Sequence, residues 1–186
     1  AWFNRGEIHY EMGQFAHAIT DYDEAIRLQA SDAGYFTSRG HAHFQLRQFD
    51  KALDDYSRAV QLDPQNPERI INRGDACRSL GRWEQAAQDF RQAVTLDNQF
   101  GRAFQSAAWL MATCPDEQFR HRDLALRAAQ KAIELDGDQD YIYLDTLAAA
   151  LANAGQFDKA QEVMRQAIRL APPVNAGPLK RRLELY

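Results

Sequence analysis

The chain has few of the residues that announce chemistry by motif. Among 186 residues there are two cysteines, Cys77 and Cys114. Two are too few for a disulfide framework, and their spacing does not make a zinc-ligand set. Free, buried thiols fit a reducing compartment, which leaves localisation open and favours the cytoplasm. No apolar run approaches the roughly 20 residues of a membrane-spanning helix. Neither sign of charge dominates. Lys and Arg number 22 against 26 Asp and Glu, a net charge of −4, so nothing points to nucleic acid. Phosphate-loop, zinc and dinucleotide signatures are missing, so the sequence implies no metal and no cofactor. A starting methionine is also missing. The chain opens Ala1-Trp2-Phe3 inside a repeat pattern, and so reads as a fragment of a longer protein.

What the chain does have is a period. Gly6, Gly40 and Gly74 stand 34 residues apart, each preceded by an arginine: Arg5, Arg39 and Arg73. Ala18, Ala52 and Ala86 keep step, as do Tyr22, Tyr56 and Phe90, and then Ala25, Ala59 and Ala93. Self-similarity at this period marks stacked supersecondary units, each unable to bury its apolar face alone. Within a unit the apolar spacings of three and four predict two helices joined by a tight turn, as at Gly13 and Gly81. Proline after the second helix, as at Asp63-Pro64, is a stop signal. The glycine and alanine columns let helix backbones approach, and the aromatic column fills the space beside them.

A second set of columns carries charge. Arg5, Arg39 and Arg73 sit in the first helices, and Asp21, Asp55 and Asp89 at a matching offset in the second. Later in the chain the same columns read Ala107 with Ala128 and Leu147 with Val163, so charge is present in both or in neither. This predicts an Arg–Asp bridge within each of the first three hairpins, giving these six residues a structural role. Other chemical signals are weak. His9 and His43 occupy equivalent repeat positions, so periodicity accounts for them. Cys114-Pro115-Asp116 with His121 is the one cluster resembling a nucleophile and a base. It lies in a loop without glycine-rich neighbours and reads as a buried cysteine before a proline turn. The sequence therefore predicts a protein that is not an enzyme.

The full column set resembles the tetratricopeptide repeat family, through Phe36, Gly40, Phe49, Ala52, Tyr56, Ala59 and Pro64. Arg47 replaces the usual turn glycine and Ala30 the usual proline. The period slips once. Between Ala108 and Ala125 about five extra residues enter, in Thr113–Asp123, before Leu144, Ala148, Gly155, Phe157, Ala160, Met164, Ala167 and Pro172 restore it. This pair of units resembles a bacterial variant that closes arrays attached to other domains, kinases among them. The resemblance implies an all-α, right-handed α-solenoid of five antiparallel helix pairs. Its repeats span about 1–32, 33–66, 67–100, 101–139 and 141–174, so the array covers 1–174. A capping helix follows over 175–186, with Leu179, Leu183 and Tyr186 packed and Lys180, Arg181 and Arg182 facing outward.

In that family the first helices line a concave groove. The resemblance implies groove rows of Asn4, Ser38, Asn72 and Ser106, of Glu7, His41, Asp75 and Trp109, and of Phe3, Thr37, Ile71 and Gln105. Such rows suit an extended peptide, because an amide both donates to and accepts from a backbone. The places of the family's carboxylate clamp hold Phe3 and Glu68, so a tail carboxylate is not expected there, whereas Glu7 and Asp75 suit a basic or neutral ligand. The expected function is non-catalytic protein recognition, with a protein or extended peptide as partner. Alternatives are a docking region of a longer enzyme, such as a bacterial kinase, and an assembly unit self-associating through its N-terminal repeat.

Overall fold

The computed structural model describes every residue, Ala1–Tyr186, and is helical throughout, with no strand. Five antiparallel helix pairs follow one another: α1 (Trp2–Glu11) with α2 (Phe15–Leu28), α3 (Ala33–Gln45) with α4 (Phe49–Leu62), α5 (Pro67–Ser79) with α6 (Trp83–Leu96), α7 (Gly101–Thr113) with α8 (Arg122–Asp136), and α9 (Tyr141–Asn153) with α10 (Phe157–Leu170). A last helix, α11, runs Pro173–Leu183. It begins earlier than the cap expected over 175–186, because Pro173 stands in its first turn, where a missing N–H costs nothing. Packing divides the chain into two units, Ala1–Leu96 and Asp97–Tyr186. No helix is long and apolar enough to cross a membrane.

Three of the five first helices start with a side-chain cap. Asp32, Asn66 and Asp140 cap α3, α5 and α9, accepting bonds from the backbone N–H groups of Gly34, Glu68 and Ile142. Each cap satisfies a donor that has no partner within its helix. Gln14 and Gln48 precede α2 and α4 without capping them. Their amide oxygens instead meet Nδ1 of His9 at 2.7 Å and of His43 at 2.8 Å, tying first helix to second. The tight turns need left-handed backbone, which Gly13, Gly81 and Gly155 supply at φ of 72°, 72° and 76°. Arg47 takes the same conformation at φ 58°.

In the first unit, Ala18, Tyr22 and Ala42 form one buried cluster and Ala33, Phe36 and Ala59 another. Close approach depends on the glycine column. A methyl placed on Gly40 would lie 2.6 Å from the Tyr56 ring, and one on Gly74 2.6 Å from Phe90. In the second unit, Ala108, Ala112, Ala125, Ala129, Ala149 and Ala150 form one cluster, and Leu144, Ala148, Met164, Ala167 and Leu179 another. The slip in the period is a long link between α7 and α8. It runs Cys114–His121 with a 3-10 turn at Glu117–Phe119, where the other hairpins use three residues such as Met12–Gln14. The His121 N–H donates to the Met111 carbonyl at 3.1 Å and pins the link to α7.

Candidate functional site

In the first unit the arginine and aspartate columns meet. Nε and Nη2 of Arg5, Arg39 and Arg73 donate to the two carboxylate oxygens of Asp21, Asp55 and Asp89, at 2.5–3.0 Å. All three carboxylates are buried, while the guanidinium groups differ in exposure. The side chains of Arg39 and Arg73 are 22% and 27% exposed, that of Arg5 57%. The Arg5 guanidinium holds the Asp21 carboxyl below the usual aspartate range, although burial acts against it. Arg39 has a further partner: its Nη1 donates to Asp23 on α2 at 2.6 Å, joining consecutive hairpins.

The groove rows divide into exposed, bonded and buried members. Asn4 is exposed on α1. Glu7 is half-buried and accepts the Tyr22 hydroxyl at 2.5 Å, and Ser38 is also half-buried. Burial, with Glu7 adding to it, pushes the Tyr22 phenol far above its ordinary value. His41, half-buried, meets the Tyr56 ring edge-on at 5.5 Å between centroids. Asp75, also half-buried, pairs with Arg78 at 3.2 Å. Thr37 accepts from Arg69 Nη1 at 2.7 Å, and the same arginine reaches Asp63 at 3.0 Å.

Three positions of the expected rows need correction. Ile71 is 0% exposed, Asn72 3% and Ser106 5%, so none presents surface to a ligand. A helix in a stack is covered on two sides, and these residues lie on covered faces.

The second unit has its own polar cluster. Gln105 Nε2 donates to Thr146 Oγ1 at 2.7 Å. Arg182 on α11, expected to face outward, turns in. Its Nε donates to Asp145 at 2.9 Å, its Nη2 to the other oxygen of the same carboxylate, and its guanidinium lies 5.2 Å from the centre of the Trp109 ring. Asp145 is buried, and burial raises its pKa despite the opposing pull of Arg182. Trp109 is therefore half-buried beneath a cation supplied by the chain itself, and packs on the alanine cluster. In the link, Cys114 is buried and His121 exposed, with no hydrogen bond between them.

The geometry is thus stacked helical hairpins with small–aromatic contacts and polar first-helix faces. Repeat profiles described as tetratricopeptide repeat match residues 33–66, 67–100 and 143–173, and one described as TPR repeat matches 6–47. The chain belongs to the tetratricopeptide repeat family. No curated protein matches its sequence. Among solved structures, a thermophilic repeat protein of Thermus thermophilus superposes with a TM-score of 0.78 at 18% identity, over 98% of this chain and 95% of that one. MamA from Desulfovibrio magneticus gives 0.71 at 19% identity, over 91% and 92%. YrrB, described as a repeat protein with an unusual peptide-binding site, gives 0.66 at 18% identity, over 100% and 91%. The fold class is therefore all-α, an α-solenoid of five helix pairs and a terminal helix, and this is the fold of a protein-interaction scaffold.

Proposed function

We propose that the chain is a non-catalytic scaffold that holds an extended, basic or neutral peptide along the first helices of its first unit. The observation behind this reading is the row Glu7, His41 and Asp75. These three side chains follow the glycine column at one offset on α1, α3 and α5, and each keeps part of its surface in solvent. Asn4 adds an exposed amide beside Glu7. Two carboxylates one repeat either side of an imidazole make an acidic track. Such a track attracts cationic side chains, and its effect weakens as salt rises. The resemblance to YrrB supports peptide recognition as a use to which such hairpins can be put, and the family supports protein partners in general.

Selection of a random peptide library against the full chain tests this reading. Enrichment of Lys- and Arg-containing peptides is expected, with binding that falls with salt and drops in a Glu7→Gln/Asp75→Asn variant. The glutamine at position 7 can still accept the Tyr22 hydroxyl, so the fold contact survives. Peptides without charge bias, or equal binding by the variant, would refute an acidic track.

A further inference from the structure

Arg39 and Arg73 occupy one repeat position and make one bidentate bridge, yet their third nitrogens have different fates. Nη1 of Arg39 donates to Asp23 at 2.6 Å. One repeat later the residue in the place of Asp23 is Ser57. Its hydroxyl turns back and donates to the Leu53 carbonyl at 2.6 Å, so it gives Arg73 nothing. Arg73 spends Nε and Nη2 on Asp89 and leaves Nη1 without an acceptor. A cavity of about 400 Å³ opens at that point between α4 and α6, floored by α5 and lined by Ser57, Arg73, Cys77, Arg82 and Gln85 among others.

We propose that this cavity is a binding site for a single carboxylate, presented by an aspartate or glutamate side chain of a protein partner. The carboxylate would take the place that Asp23 takes against Arg39. A guanidinium with one unused N–H edge is a strong, directional donor to such a group, because charge-assisted bonds exceed neutral ones. Arg82 on the rim supplies a second cation; its side chain is 47% exposed and holds Asp50 only at 3.4 Å. The neighbouring thiol does not compete as an anion, since burial and Asp89 raise the pKa of Cys77. Asp54 and Asp89 also line the cavity. Two local negative charges disfavour a phosphate dianion more than a monovalent carboxylate, which selects the acidic side chain over a phosphopeptide. This site takes a ligand of opposite charge to the peptide track on α1, α3 and α5 and does not depend on it.

Titration of the full chain with Ac-Ala-Asp-Ala-NH2, followed by the arginine Nε–Hε resonances, is the test. A saturable shift of the Arg73 resonance is expected with the aspartyl peptide. Neither Ac-Ala-Asn-Ala-NH2 nor inorganic phosphate at equal concentration should match it. Ser57→Asp would provide an internal carboxylate and weaken peptide binding at Arg73 by about tenfold or more, the loss of one charge-assisted hydrogen bond. Asp23→Ser should do the reverse and create a second responsive site at Arg39. An Arg73 resonance that does not move, equal shifts with the asparaginyl peptide, stronger binding of phosphate, or an Arg39 that stays silent in Asp23→Ser would each overturn the assignment.

Discussion

The two units solve one packing problem with different side chains. In Ala1–Leu96 the first helix contributes glycine and the second an aromatic ring, as in Gly40 with Tyr56 and Gly74 with Phe90. In Asp97–Tyr186 the corresponding positions are Ala108 with Ala129 and Ala148 with Met164. In the Ala148/Met164 pair volume moves from the second helix to the first, whereas around Ala108 and Ala129 the space of the missing ring is taken by Trp109, Met111, Leu126 and Leu147, as native packing density demands. Charge follows the same division. The first unit places a bidentate Arg–Asp bridge inside every hairpin, whereas the second fills those columns with Ala107, Ala128, Leu147 and Val163. Its buried ion pair, Arg182 with Asp145, instead fastens the terminal helix to α9. Unit one thus uses ion pairs to tie first helices to second helices, within each hairpin and, through Arg39 and Asp23, between two of them, and unit two uses one to hold its terminal helix.

Removing one carboxylate from the first unit should have the largest effect. Asp55→Ala leaves the Arg39 guanidinium largely buried with only Asp23 beside it. Breaking a buried pair from one side costs about 3 kcal/mol at the lower end of the range. Asp21→Ala should cost clearly less, because water can solvate the 57% exposed Arg5 side chain. Urea unfolding of both variants checks the order. Equal losses would show that burial of the arginine does not grade these bridges.

A second test exchanges the packing solutions. Gly74→Ala drives a methyl to 2.6 Å from the Phe90 ring, and overpacking of this kind costs about 2 kcal/mol. Adding Phe90→Met to that variant reproduces the Ala148/Met164 pair and should recover part of the loss. If the double variant is less stable than Gly74→Ala alone, the two pairs are not interchangeable solutions.

These contrasts also show which features the sequence could reveal. The glycine, aromatic, arginine and aspartate columns recur at a fixed offset, so hairpins, close contacts and within-hairpin bridges could be read before any coordinates. The His9–Gln14 and His43–Gln48 bonds carry the same periodic signal, in the glutamines as well as the histidines. Arg182, Asp145 and Trp109 each occur once and come from three helices. No period marks them, and along the sequence Arg182 simply follows two other basic residues, Lys180 and Arg181. The groove rows were half legible. Distance from the glycine column tells which way a side chain leaves its helix. It does not tell whether another helix covers that direction, and this is why Ile71, Asn72 and Ser106 were expected at a surface they do not reach. Arg69, which ties Thr37 to Asp63, likewise has no counterpart at its repeat position.

The tight turns offer a smaller effect of opposite sign. Arg47 holds φ at 58° where Gly13, Gly81 and Gly155 hold theirs without strain from a β-carbon. Left-handed backbone costs a non-glycine residue about 1–2 kcal/mol, while glycine loses more entropy on folding. Arg47→Gly should therefore stabilise the chain by about 1 kcal/mol, seen as a higher midpoint in urea. A lower midpoint would mean that the Arg47 side chain, 6.0 Å from the Phe49 ring centre, contributes more than its geometry suggests.

The smallest effect sharpens the electrostatic contrast, because the two units should respond to acid in opposite directions. The Asp21 carboxyl titrates below the ordinary aspartate value of 3.8, held down by Arg5 and, once protonated, by His9 and His17. Its contribution to stability is complete above 3.8 and is lost as pH falls through its lower folded value. Asp145 titrates above 3.8, because burial outweighs Arg182. At neutral pH its ionised form therefore carries a penalty, which is relieved as pH falls through the raised folded value towards 3.8. The stability of the wild type minus that of Asp21→Asn should thus decline with acidification below 3.8. The difference against Asp145→Asn should rise with acidification above 3.8. Subtracting each variant from the wild type removes the titration of the remaining carboxylates. Parallel slopes for the two differences would show that Arg182 compensates Asp145 as fully as Arg5 compensates Asp21, and the division of electrostatic roles between the units would fail.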